Sequence, residues 1–405
     1  MPPKFAGFDL YDLDPLLSDE EKTVRDTVRQ WVDENVIPNI GKWWEAAAFD
    51  RKIIPQIADL GLMGMNLQGY GCAGMNNVAY GLAMQELERG DSGIRSFVSV
   101  QGGLVMYPIH AYGNEEQRKK YLPRLAKAEL IGCFGLTEPD FGSNPGGMKT
   151  RAVRKGNKWI LNGTKMWITN ASIADLGIVW AKADKKDLPA DIKPPKGDDK
   201  DVILGFLCER SMKGYATQEI KGKLSLRASD TSEILLTDCE VPDENRLPNG
   251  VGLKAPLGCL TAARYGIAWG AVGAAMACLH EALEYAKIRV QFTKPIAGYQ
   301  LVQAKLANMA TEITKAQLMA LQLGRLKDQG KASFVQVSMA KRNNVYEALK
   351  VARAARDILG GNGILNEYQS MRHMCNLETV YTYEGTHDIH LLILGEHLTG
   401  MAAYF

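Results

Sequence analysis

The chain has no Cys-x-x-Cys pair and no block of basic residues interleaved with aromatics. It has no glycine loop closing on Gly-Lys-Ser/Thr and no uninterrupted apolar run of the ~18 residues that read as a membrane span. Each absence removes a class of function. With a net charge of +2 and no basic stripe, nucleic-acid binding is not expected. Without a long apolar run, membrane insertion is not expected either. Seven cysteines are scattered through the chain, an odd number. They read as reduced, mostly buried thiols rather than a disulfide framework or a zinc site. Six histidines supply one close pair, His387-x-x-His390, with only Asp388 nearby as a third ligand, so no metal is expected. The first ten residues, Met1 to Leu10, hold neither an apolar signal core nor an Arg- and Ser-rich, acid-poor transit segment. That pattern predicts a cytoplasmic protein, or a matrix one if the chain is a processed organellar form.

What is present is an ordinary globular composition over 405 residues, 46% hydrophobic and 23% charged, enough for two or three domains. Residues 1–132 read as helical. Ser18-Asp19-Glu20-Glu21 is a capping box, followed by Val24, Val28, Trp31, Val32 and Val36 at helical spacing. Further helices are predicted over 78–88 and 115–127. From 133 to 245 the pattern turns to short strands, among them 152–154, 159–161, 166–169, 177–180, 202–207 and 234–236. Turns such as Asn162-Gly163 separate them, and a solvated loop is expected over 182–201. This block predicts a small antiparallel β domain, a barrel or sandwich. From 246 to 405 helical period returns, with Val302, Leu306, Met309 and Ile313 on one face, followed by Leu321, and predicts a helical bundle. The fold class is therefore α+β multidomain, in the order helical, β, helical.

Several motifs carry chemistry. Gly69-Tyr70-Gly71-Cys72-Ala73-Gly74 matches G-x-G-x-x-G, but no strand precedes it, so it reads as a loop between helices rather than a dinucleotide site. The loop 135–143 offers the hydroxyls of Thr137 and Ser143 beside backbone donors, a suitable edge for a heteroaromatic ring or a pyrophosphate; it also reads as an ordinary turn. Trp167-Ile168-Thr169 ends a strand, with an aromatic plane suited to stacking; the same tryptophan suits a β core. Gly360-Gly361-Asn362-Gly363 allows close backbone approach or a tight helix end. Arg95-Ser96 sits at a helix boundary, where an arginine is either a surface charge or a partner for a substrate carboxylate. In Tyr383-Glu384-Gly385-Thr386, one carboxylate stands between an aromatic and a glycine, with Thr386 placed to cap the next helix. That arrangement suits a general base aimed into a closed pocket.

Taken together these residues resemble the acyl-CoA dehydrogenase family over nearly the whole chain, through 136–139, 142–143, 167–169, 289–292, 360–363 and 383–386. The segments 87–89, 91–96, 224–229, 263–270 and 386–390 resemble its glutaryl-CoA dehydrogenase branch. The resemblance implies a C-terminal four-helix bundle and a homotetramer with FAD. Phe134, Leu136, Thr137, Ser143, Trp167, Ile168 and Thr169 would hold the isoalloxazine side. Arg289, Phe292, Gln300, Asp357, Gly360 and Gly361 would hold the pyrophosphate and adenine end across a subunit boundary. Thr386 and Asp388 would complete the cofactor contacts. Ser143 and the stretch from Leu257 to Arg264 would line the CoA path. Glu384 would be the catalytic base; the alternative base position of some branches is Ala263 here, which takes no proton.

The implied reaction removes an α-proton and a β-hydride from an acyl-CoA and passes the electrons to an electron-transfer flavoprotein. Arg95 points to a dicarboxylic substrate, since a buried guanidinium with nothing to pair with is costly. Glutaryl-CoA, oxidised and decarboxylated to crotonyl-CoA, is the first expectation, with Ser96, Glu88, Tyr383 and Gly385 as neighbours of the acyl group. The alternative is a non-decarboxylating dehydrogenase, or an oxidase, of another short-chain, carboxylated or cyclic acyl-CoA. Asn144 stands where the family pattern has Asp, so the loop is expected to survive with shifted contacts; Phe97 and Asp140-Phe141 are bulkier than the pattern, and a reshaped acyl pocket is expected there.

Overall fold

The computed structural model describes residues 5–189, 192 and 200–403. Seven helices come first: α1 (Asp19–Asn35), α2 (Ile40–Ala46), α3 (Ile53–Asp59), α4 (Asn77–Gly90), α5 (Ser92–Ser99), α6 (Tyr107–Tyr112) and α7 (Glu115–Ala126). The capping box forms as expected: Glu21 N–H donates to Ser18 Oγ at 3.2 Å and Ser18 N–H to Glu21 Oε2 at 2.9 Å. A π-helical turn over Val100–Met106 joins α5 to α6, a widening common at functional sites. The glycine loop 69–74 lies between α3 and α4, with Tyr70 donating to Glu115 at 2.7 Å.

Eight strands follow: β1 (Gly132–Gly135), β2 (Arg151–Lys155), β3 (Lys158–Thr169), β4 (Leu176–Asp184), β5 (Asp201–Glu209), β6 (Tyr215–Glu219), β7 (Thr231–Pro242) and β8 (Arg246–Val251). They form one sheet in the order β6-β7-β3-β2-β4-β5-β8, with β1 added beside β4. The sheet is mixed rather than antiparallel throughout, because β1 and β2 both run parallel to β4. Asn162-Gly163 is not a turn. It is an irregularity inside the continuous strand β3, where the register against β7 shifts. Strand β8 lies past the boundary expected at 245 and pairs with β5. Of the loop expected over 182–201, residues 182–184 belong to β4, and 190, 191 and 193–199 lie outside the described residues. Side chains alternate as strand period requires. Ile178 and Trp180 of β4 join the core shared with the N-terminal helices, while Val179, Ala181 and Ala183 pack on the other face.

The C-terminal part contains α8 (Lys254–Ile288), a short hairpin of β9 (Val290–Gln291) and β10 (Lys294–Pro295), then α9 (Gln300–Asp328), α10 (Phe334–Ile358), α11 (Ser370–Thr382) and α12 (His387–Thr399). Helix α10 packs against α8, α9, α11 and α12, which makes the bundle. Met309, Ile313 and Leu321 of α9 are buried in it as the periodicity predicts. Helix α8 corrects one expectation: it is long and apolar enough to cross a membrane by length and composition, with mean hydropathy 1.3 over its most apolar window. Most of that window, 83%, is buried inside the protein, because α8 packs on both α4 and α10. A central core helix of this kind satisfies the same composition rule as a span.

Candidate active site

The loop between α11 and α12 carries Glu384. Its φ is +52°, in the left-handed region uncommon for a residue with a side chain. Gly385 follows at φ +92°, where an added Cβ would stand 2.9 Å from His390 Nε2, so the turn admits only glycine. Thr386 then opens α12 by accepting from Ile389 N–H at 3.2 Å. Three carbonyls of this turn are tied to neighbouring helices. Arg264 of α8 donates Nε–H to the Glu384 carbonyl at 2.6 Å. Lys341 of α10 donates Nζ–H to the Tyr383 carbonyl at 3.1 Å and to the Gly385 carbonyl at 2.9 Å.

The Glu384 side chain is placed differently from its backbone. Its Oε2 is shut off from solvent and has no hydrogen-bond partner among the described residues. Burial raises its pKa above the ordinary carboxylate value, although Arg95, Arg264 and Lys341 oppose the rise with their charges. Loss of solvent and of hydrogen-bond partners makes such a carboxyl group more basic and so suited to taking a proton from a weak carbon acid, while the nearby cations favour the ionised form that takes it. Tyr80 of α4 faces the same cluster, and burial pushes its phenol up to about 12.

Arg95 of α5 is fully buried, and its Nε–H donates to Glu88 Oε2 of α4 at 2.6 Å. Ser92 Oγ–H donates to the other Glu88 oxygen at 2.9 Å. Arg95 Nη2–H donates to the Tyr383 hydroxyl, beside the base. Burial is the largest single influence and lowers the Arg95 pKa, but the charges of and hydrogen bonds to Glu88 and Tyr383 together outweigh it and the net shift is upward. The expectation that this guanidinium lacks a charge partner without a dicarboxylic substrate is therefore corrected: Glu88 neutralises it. Of the guanidinium nitrogens, Nη1 is left buried without a hydrogen-bond partner among the described residues. Gly270 of α8 makes room for the pair, since a Cβ there would lie 2.0 Å from Glu88 Oε2. Ser96 is buried beside them in α5. Phe97 stacks edge-on to Phe49 at 5.3 Å within the main core, so its bulk is taken up by packing there.

The residues expected on the isoalloxazine side gather where β1 leaves the sheet. Phe134 and Leu136 are buried, and Thr137 accepts from Met166 N–H at 2.9 Å, which places it against the strand that carries Trp167. The loop is anchored by buried Glu138, which accepts from Lys149 N–H at 2.6 Å, Thr150 N–H at 2.9 Å and Lys165 Nζ–H at 2.8 Å. Ile168 is buried and Thr169 half-buried. Trp167 is not core: a second register shift in β3, with φ +62° at Trp167, leaves its indole 56% exposed. An exposed aromatic plane next to a loop with free hydroxyls fits a planar heteroaromatic ring. Ser143 lies exposed on the same loop, while Leu257 and Arg264 lie on α8.

Arg289, Phe292, Gln300, Asp357, Gly360 and Gly361 gather at one end of the bundle, where an ion pair from Lys305 of α9 to Asp357 joins the start of α9 to the end of α10. All six are exposed, Phe292 at 94%. Gly360-Gly361-Asn362-Gly363 forms a tight helix end. Asp388 is exposed on α12. His387 stacks on Tyr381 at 4.6 Å, and the His390 pKa is pushed down to about 2 mainly by burial.

Sequence reasoning missed Lys341 and the pair of Lys165 with Glu138. Lys341 does leave a signal. It stands four residues after Val337 and four before Val345, at an apolar position of the α10 stripe.

Family models for the acyl-CoA dehydrogenase N-terminal, middle and C-terminal domains match residues 18–129, 133–239 and 250–399. An acyl-CoA dehydrogenase of Bacillus subtilis is 34% identical over 95% of this chain and 99% of its own length. A glutaryl-CoA dehydrogenase structure from Mycobacterium smegmatis is 52% identical, with a TM-score of 0.93 over 98% of this chain and 99% of that one. A second structure from that organism, in complex with FADH2, is 51% identical, with a TM-score of 0.93 over 99% of this chain and 100% of that one. With all three domains matched in order around the turn that carries Glu384, the chain belongs to the acyl-CoA dehydrogenase family.

Proposed function

We propose that this enzyme is an FAD-dependent dehydrogenase of a short dicarboxylic acyl-CoA, most specifically glutaryl-CoA, which it oxidises and decarboxylates to crotonyl-CoA. The carrying observation is the buried Arg95 guanidinium, whose unpartnered Nη1 lies in the cluster that contains Tyr383 and Glu384. A terminal carboxylate satisfies that N–H in a way an alkyl chain does not.

Glu384 takes the α-proton of the thioester. Its burial and the absence of a hydrogen-bond partner on Oε2 keep it basic enough for that task. FAD, when bound against Trp167, Thr169 and the loop from Leu136 to Ser143, supplies the acceptor for the hydride from the β-carbon. The remaining carboxylate is then γ to an enoyl thioester. Breaking its C–C bond leaves the electron pair in a dienolate conjugated with the thioester carbonyl and releases carbon dioxide. The protonated Glu384 returns its proton to that dienolate, which gives crotonyl-CoA. Tyr383 and Glu88 keep Arg95 oriented throughout. An electron-transfer flavoprotein would receive the electrons. The exposed apolar surface around Ile288, Val290, Phe292 and Leu301 supports a homotetramer that covers it.

A second reading is favoured by one observation. Glu88 already neutralises Arg95, so an uncharged acyl chain leaves no uncompensated cation. That reading is a non-decarboxylating dehydrogenase of another short acyl-CoA. Anaerobic mixing with glutaryl-CoA separates the two. Flavin bleaching with crotonyl-CoA and carbon dioxide as products is the expected result. Accumulation of glutaconyl-CoA, or bleaching by butyryl-CoA alone, favours the second reading.

A further inference from the structure

Lys341 is 1% exposed, two turns into α10, and has no acidic partner within ion-pair distance among the described residues. A lysine is rarely placed this way unless its hydrogen bonds are specific. Here they are: Nζ donates to the carbonyls of Tyr383 and Gly385, the residues on either side of Glu384. Arg264 takes the carbonyl between them. Two cations from two helices thus hold three consecutive carbonyls of a turn whose central residue is left-handed.

We propose that Lys341 is a positioning residue for the catalytic base: its ammonium group fastens the carbonyls flanking Glu384 and holds the carboxylate in the backbone conformation from which it removes the proton. This rests on the assignment of Glu384 as base but not on the identity of the acyl group. The charged and titratable groups around the carboxylate are Arg95 of α5, Tyr80 of α4, Arg264 of α8, Lys341 of α10 and Tyr383 of its own turn. Lys341 in turn faces Glu384, Arg264 and Arg95, with His387 and His390 of α12 beside it. Burial pushes Lys341 down to about 7, opposed by Glu384. The downward shift of the lysine and the upward shift of the carboxyl bring the two pKa values toward each other, and their titrations are coupled.

The charge of Lys341 favours the ionised base, so its loss moves the Glu384 titration to higher pH. In Lys341→Met holoenzyme, with whichever short acyl-CoA the enzyme turns over, the acid limb of kcat/KM moves up by about one pH unit or more, and kcat at neutral pH falls about tenfold or more. KM changes much less. Lys341→Arg, which keeps charge and donors, retains the wild-type limb. Lys341→Gln, which keeps a donor without charge, shifts it. An infrared titration of the Glu384 carboxyl band without substrate, identified by its loss in Glu384→Gln, moves in the same direction. That spectrum is independent of the substrate, so a wrong acyl-CoA assignment leaves it intact. A wild-type acid limb and an unmoved carboxyl band in Lys341→Met overturn the proposal. If that variant does not fold, the same null result in Lys341→Gln overturns it. A limb displaced equally in Lys341→Arg also overturns it, since packing rather than charge and donors would then be at work.

Discussion

Arg95 and Glu88 form a fully buried ion pair at 2.6 Å, from two successive helices of the N-terminal part. Removing either partner leaves the other charge buried alone, which costs about 3–5 kcal/mol. Glu88→Gln and Arg95→Met are each expected to lower stability on that scale, while the double change to apolar residues recovers most of it. Denaturant unfolding of the three variants measures this. Activity separates from stability in the double variant. Loss of Arg95 is expected to weaken glutaryl-CoA by about 2–5 kcal/mol in kcat/KM while a monocarboxylic acyl-CoA is penalised less. Equal losses for both substrates would remove Arg95 from substrate recognition.

Glu384→Gln is expected to lower kcat by a factor of about 10²–10⁴ while flavin stays bound. The pH dependence follows from the upward shift of the Glu384 pKa above 4.5, caused first by burial. The base works only when ionised, so kcat/KM falls as pH falls through that raised value, not through 4.5. The stability consequence has the opposite sign. A carboxyl whose folded pKa is raised contributes stability below 4.5 and loses it as pH rises through the folded value. Glu384→Gln should therefore gain in Tm over wild type as pH is raised toward neutrality. A Tm difference that is flat across this window would mean that the carboxyl pays no desolvation cost.

Much of this site was legible in the sequence because its parts are local. Glu384, Gly385 and Thr386 are consecutive, and the capping role of Thr386 needs only the next three residues. Gly360-Gly361-Asn362-Gly363 was readable as a tight helix end for the same reason. What was not legible depends on distance in the chain. Glu88 and Arg95 were both singled out, but nothing in their spacing says that they pair with each other rather than with substrate. Lys341 meets Glu384 only through the packing of α10 on α11 and α12. The parallel pairing of β1 with β4 joins residues more than forty positions apart. Asn162-Gly163 failed as a turn because a bulge uses the same residue types.

Gly270→Ala tests how tightly the buried pair is packed. Its new Cβ would stand 2.0 Å from Glu88 Oε2, against a side chain that Arg95 and Ser92 both hold. Overpacking of this kind costs about 1–3 kcal/mol, and here it also displaces the partner of a buried cation. The expected result is lower thermal stability together with a reduced preference for glutaryl-CoA. Wild-type stability would show that Glu88 has room to move, and the pair would not be a fixed template.

Trp167 separates a cofactor platform from a core residue by magnitude. A buried tryptophan truncated to alanine costs about 3–5 kcal/mol of stability. Trp167 is 56% exposed, held outward by a bulge with φ +62°, so Trp167→Ala removes little packing. The expected change in unfolding free energy is under about 1 kcal/mol, as for surface positions. Stacking on a flavin contributes about 0.5–1.5 kcal/mol beyond area burial, so flavin affinity should fall about two- to tenfold. Equilibrium dialysis of flavin from the holoenzyme, run beside a denaturation curve, reads both numbers from one preparation. Unchanged flavin binding with a large loss of stability would return Trp167 to the core and leave the ring to be held by the Leu136–Ser143 loop alone.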